Sequence, residues 1–168
     1  MFMDTLSYGK EYLSELESEV RATRRCIESI PEKLYSWKPH DTSMDMGYLT
    51  LLVADIPRWI TYTLEKSEID FATFPQFQLS TTSEMVRHFD KNIDDVKRIL
   101  AKATDEEFHE NFSLKRNGNV LFTSSKKESV QSSLNHWVHH RGQLTVYMRI
   151  SGIKVPSIYG PSADERVF

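Results

Sequence analysis

Thr81 stands three residues ahead of Glu84, Thr104 of Glu107 and Ser125 of Glu128, each directly before a stretch that reads as helical. In such a box the hydroxyl accepts from the backbone N–H at the third helical position. The Glu carboxylate reaches back to the N–H of the capping residue, so two donors that no helix can satisfy internally are satisfied together. Each box therefore marks a helix start. After the first, Met85, Phe89, Val96, Leu100 and Ala103 recur at helical spacing, with Lys91, Asp95 and Lys102 on the other side. The second box opens a short turn. The third opens the last long helix, which runs to about Ser151 and is closed by Gly152, a residue suited to the left-handed position past a helix end.

Upstream, Leu6, Leu13, Val20 and Ile27 return every seven residues, with Leu16, Thr23 and Ile30 interleaved. This predicts a first helix that stops at Pro31, whose ring clashes with the preceding turn. Trp37 to Ser43 reads as a structured loop, and Ser43 or Asp45 caps a second helix from about Met46, with Leu49, Leu52, Val53, Ile56, Trp59 and Ile60 on a broad apolar face. Pro57 predicts a kink within it. Between Phe112 and Phe122, alternating residues flank Asn117-Gly118, which suits a tight hairpin turn. The fold expected is all-α: a four-helix bundle over residues 1–168 as a single domain, with one long connection and a small hairpin before the last helix. The tail from Ile153 to Phe168 is rich in turn residues yet apolar enough to pack against the bundle end.

Composition excludes several function classes. A formal charge of −3 leaves no basic footprint for nucleic acid. No apolar run approaches a membrane span, and no apolar stretch follows a basic N-terminus. The one cysteine, Cys26, cannot support an internal disulfide framework and suits a reducing cytoplasm, the expected location. No Gly-rich phosphate loop, CxxC pair or nucleophile elbow is present.

The chemistry concentrates in the last helix. His136 and His140 are four residues apart, so at ~100° per residue both imidazoles lie on one face and can offer nitrogens to a single divalent ion. His139 faces away from them. Arg141 is expected to pair with an acid across the bundle. Trp59 and Trp137 read as core or interface aromatics. Cys26, with no activating base beside it, reads as a small packing residue.

Taken in order, Trp37-Lys38-Pro39, Met46-Gly47, Ile56-Pro57-Arg58-Trp59, the run His136 to Leu144, Tyr147-Met148-Arg149 and Pro156-Ser157-Ile158-Tyr159-Gly160 resemble the DinB/YfiT-like superfamily across most of the chain. The resemblance implies a four-helix bundle, commonly a homodimer, holding nickel or zinc through three histidines. Some relatives are thiol S-transferases and others hydrolases. His136 and His140 match the pair from the last helix. The histidine of the second helix falls at Leu52, which cannot ligate a metal. Asp55, three residues on, is then the candidate third ligand, either completing an Asp/His/His set or orienting it; His88 on the third helix is another, expected instead at the edge of the polar face. Two functions remain open on these residues. One is a divalent-metal-dependent transferase or hydrolase with a degenerate site at His136, His140 and Asp55. The other is a non-catalytic dimeric bundle whose cavity, made apolar at Leu52, serves interaction or binds a small hydrophobic ligand.

Overall fold

The computed structural model describes residues 7–78 and 81–166. Helix α1 spans Tyr8–Glu28, α2 Met46–Asp55, α3 Pro57–Glu65, α4 Thr82–Leu100, α5 Asp105–His109 and α6 Lys126–Ile150; the strands are β1 Glu68–Asp70, β2 Asn111–Arg116 and β3 Asn119–Ser125. The expectation of an all-α fold is corrected by a three-stranded mixed sheet in the order β1-β2-β3. The hairpin was visible in the sequence, but β1 adds a parallel partner on its far side, pairing Glu68, Ile69 and Asp70 with Ser113, Leu114 and Lys115.

Local chemistry explains the sheet. Asn117 and Gly118 both have positive φ (51° and 78°), the turn geometry that continues the natural twist of two antiparallel strands. The Asp70 carboxylate accepts from the turn amides of Asn117 and Gly118, at 3.0 and 2.7 Å, and from Ala72. These backbone bonds hold its pKa below the usual carboxylate value. One side chain thus ties the end of β1 to the hairpin tip.

All three capping boxes form as written, at Thr81, Thr104 and Ser125. Asp45 stands at the N-cap of α2 but makes no side-chain cap bond; its carboxylate lies 3.7 Å from Lys38 Nζ. The second expected helix is broken in two, with Pro57 at the first position of α3, where its missing N–H costs least. Ile56 keeps helical torsions (φ −53°, ψ −40°), so the face presented by α2 carries on into α3.

Helices α1, α2/α3, α4 and α6 surround one core in which Leu16, Ile27, Leu49, Val53, Phe89, Val96, Leu134 and Leu144 are buried. On α1 the buried stripe runs through Tyr12, Leu16, Glu19, Thr23 and Ile27, while Leu13 and Val20 sit at its margin; Leu6 lies outside the described residues. Cys26 is fully buried here, and burial pushes its thiol up to about 11. A second cluster of Ile69, Phe74 and Phe112, flanked by Trp59, Tyr62 and Leu114, joins the sheet to α3. No helix of the described residues is long and apolar enough to cross a membrane.

After α6, Gly152 takes positive φ (71°) and the chain turns back. The tail is held by side chains: Arg25 pairs with Glu165, Arg149 with Asp164 (2.6 Å), and the Tyr159 hydroxyl bonds both Arg141 (2.7 Å) and Glu19 (2.9 Å). Arg141 is the cation expected to seek an acid across the bundle. It finds Glu19 on α1, also bonds Thr23, and is almost wholly buried.

Candidate functional site

Helix α6 brings His136 and His140 together as its spacing dictates. Their Nε2 atoms are 2.8 Å apart, and His140 Nδ1 lies 2.7 Å from Gln143 Oε1, one turn further along. Burial, then the neighbouring imidazoles, lower the pKa of His136. Burial and His139 lower that of His140 against an opposing hydrogen bond to Gln143 Oε1. Both shifts favour the neutral rings, and the Gln143 carbonyl then selects their tautomers. His140 donates its Nδ1–H to Gln143, which leaves a lone pair on its Nε2. That lone pair accepts the Nε2–H of His136, so Nδ1 of His136 carries no proton. The chain His136→His140→Gln143 begins at the His136 ring, which lines a cleft.

The cleft has a volume of about 720 Å³ and lies between α3, the hairpin and the first half of α6. Trp59, Phe71, Phe112, Leu114 and Phe122 give it apolar walls, and hydroxyls of α6, including Ser129 and Ser132, border His136. Its size, and a surface more apolar than polar even though Ser, Thr and Glu128 side chains border it, are those of a small-molecule site. Trp59, expected in the core or an interface, is half-buried and forms part of this wall, stacked obliquely on Phe74 with centroids 4.9 Å apart. Trp137 is the core residue expected: it is fully buried and donates Nε1–H to Val53 O (3.0 Å). His139 is exposed, 5.0 Å from the His140 ring centroid.

Asp55 is placed elsewhere. Its Oδ1 lies 2.7 Å from His88 Nε2 and its Oδ2 accepts from Arg58 (2.9 Å). His88, expected at the edge of the polar face, turns inward instead and stacks flat on Phe77, with centroids 3.9 Å apart. The α2/α4 contact thus collects Asp55, and the last helix keeps its own pair. Position 52 offers no substitute. Leu52 lies seven residues before Trp59 and eleven before Thr63 along the α2/α3 axis, packs at the margin of the main core, and has a hydrocarbon side chain that offers no donor. Among the described residues no three His, Cys, Asp or Glu side chains gather in a way that could hold a metal. Nickel or zinc held by protein alone needs at least three such donors, and the residues present fall one short. Sequence reasoning found the histidines but missed the cleft, whose walls come from three separate stretches of chain.

A mixed helical protein with a neutral imidazole pair at the edge of an apolar cleft is the class that fold and site define. The DinB family profile matches residues 1–166, and the chain belongs to the DinB family. The fold is similar to those of a DinB-like protein from Bacillus subtilis (TM-score 0.71, 21% identity, 88% of this chain and 97% of that one) and a DinB-like protein from Bacillus cereus (TM-score 0.69, 20% identity, 88% and 95%). In sequence, 32 residues are 56% identical to the uncharacterised protein YrdA of Bacillus subtilis, a match that takes in 19% of each chain.

Proposed function

We propose that this DinB-family protein binds a small, largely apolar molecule in the cleft between α3, the hairpin and α6, with the His136–His140 pair as its polar pole. The observation that carries the reading is the division of the donors. Asp55 is engaged by His88 and Arg58, position 52 is Leu, and the two imidazoles bond to each other and to Gln143 beside an apolar wall. The unprotonated Nδ1 of His136 suits a ligand that carries an O–H or N–H beside an aromatic or aliphatic body.

Metal-dependent transfer or hydrolysis is the second reading. It is favoured by the approach of the two Nε2 atoms to 2.8 Å, close enough to share one ion if the proton between them is released. It lacks a third protein donor, so an ion would have to be completed by solvent or by the ligand itself.

The test uses tag-free protein titrated with naphthol, followed by tryptophan fluorescence. Saturable quenching that weakens in His136→Ala is expected; no saturable binding by naphthol counts against the cleft reading. A parallel calorimetric titration with Ni²⁺ and Zn²⁺ separates the two functions. A tight one-to-one complex in the unaltered chain would replace the first reading with the second.

A further inference from the structure

The cleft is charged at one end only. Among the described residues that line it, Glu128 is the one acid and none is Lys or Arg, while the His136 ring is shifted toward its neutral form. Glu128 and His136 are eight residues apart on α6, ~12 Å along the helix axis. Glu128 belongs to the capping box of α6, where its Oε2 accepts from the Ser125 N–H (3.0 Å) and from the Ser125 hydroxyl (2.9 Å). Those bonds, the backbone one foremost, hold its carboxyl below the usual value and fix it in place. Among the described residues no hydrogen bond reaches its Oε1. The box also means that the start of α6 is already capped by an anion of its own, which takes the place an outside anion would seek.

The cations nearby are engaged elsewhere. Lys126 donates to Glu110 (2.7 Å) and to Leu64 O (3.2 Å), Lys127 lies over the Tyr8 ring at 3.9 Å, and Arg116 over the Phe71 ring at 5.8 Å. The walls given by Trp59, Phe112 and Phe122 are rings whose faces are electron-rich and attract positive charge, the indole most of all. A carboxylate or phosphate entering this cleft would shed water without meeting a counter-charge. An ammonium group meets the opposite conditions.

We propose that the cleft selects an organic cation, an amine carried on an aromatic or aliphatic body, whose charge lies between Glu128 and the aromatic walls while its body runs toward His136. The inference rests on the reading of the cleft as a small-molecule site and adds the sign of the ligand's charge. Glu128 is exposed, so its own attraction is that of a rim charge and is screened by salt. The rings, and a lining without Lys or Arg, supply the rest of the discrimination.

The experiment compares three probes built on one aromatic body, by calorimetry on tag-free protein at pH 7: naphthol, naphthylmethylamine and naphthoate, which are neutral, positive and negative. The amine is expected to bind at least about tenfold more tightly than naphthoate, and more tightly than naphthol, with a preference that shrinks as salt is raised. Glu128→Gln keeps an acceptor for the Ser125 amide, since Gln serves the third position of a capping box as Glu does, and it removes the charge. In that variant, with helical circular dichroism retained, the ratio of amine to naphthoate affinity should fall at least about threefold. Saturable naphthol binding together with naphthoate bound as tightly as the amine overturns the proposal and leaves the cleft reading standing. So does an amine preference that neither salt nor Glu128→Gln reduces. Saturation by none of the three probes overturns both.

Discussion

Asp55 and His88, 33 positions apart in the chain, meet at 2.7 Å across the contact between α2 and α4. Asn92 Nδ2 lies 3.0 Å from the same His88 nitrogen and also donates to Ala54 O, so the ring is held by polar groups along one edge and by Phe77 on its face. The acid that spacing alone would have assigned to the histidine pair of α6 is a structural partner of α4.

Replacing Asp55 by Asn tests that assignment directly. The change removes the anion facing Arg58 and His88, and stability should fall by about 1–3 kcal/mol, the usual effect of disturbing a partly buried charged bond. Ni²⁺ and Zn²⁺ binding, measured calorimetrically on the same tag-free protein, should be unchanged. A loss of metal affinity would return Asp55 to the site of His136 and His140.

Leu52→His puts a third imidazole on α2, seven residues before Trp59. Affinity for Ni²⁺ or Zn²⁺ should rise by at least about tenfold, roughly 1.4 kcal/mol, since three histidines are the minimum set a protein commonly uses. No gain would mean that α2 does not present position 52 to the pair.

Arg141 and Glu19 form a buried ion pair, supplemented by Thr23 and Tyr159. Glu19→Ala leaves the guanidinium buried without its counter-charge, and the cost should be about 3–5 kcal/mol in urea unfolding. Tyr159→Phe removes one neutral hydroxyl from the same network and should cost only about 1 kcal/mol. Equal losses would show that the phenol, and with it the tail, matters as much as the charge.

Glu165 provides a pH signature. The Arg25 guanidinium, aided by the Ser157 amide, holds its carboxyl at about 2, against an ordinary value of 4.5. Because the folded-state pKa is depressed, the contribution of this contact is fully present above pH 4.5 and is lost as pH falls toward 2. Proteolysis of the tail, followed with an acid-active protease, should accelerate through that window. In Glu165→Gln the acid-dependent part of the acceleration should shrink, leaving the share due to Asp164, whose carboxyl is also held below its ordinary value by Arg149.

Features written in adjacent residues were legible in the sequence. The three boxes at Thr81, Thr104 and Ser125, the αL residue at Gly152 and the turn at Asn117-Gly118 each state their geometry within four positions. The His136–His140 pair was legible for the same reason, because one helix fixes its spacing. What was missed is non-local. Strand β1 is three residues long and exists because Ser67 and Phe71 exchange backbone bonds with Ser113 and Lys115 of a hairpin more than forty positions away. Glu19, the acid that Arg141 was expected to seek, could not be singled out among the acids of α1 because only the docking of α6 brings the two together. The cleft has no local signature, since Trp59, Phe112 and Ser132 converge only after the sheet has docked on α3.

The burial of Cys26 makes this protein a clean background for labelling. With its single thiol enclosed and almost entirely protonated at neutral pH, a cysteine introduced on any exposed turn would be the group that maleimide reaches. Fluorophores or spin labels could then be placed one at a time, and distances across the hairpin or along the tail read out, without first removing the native sulfur.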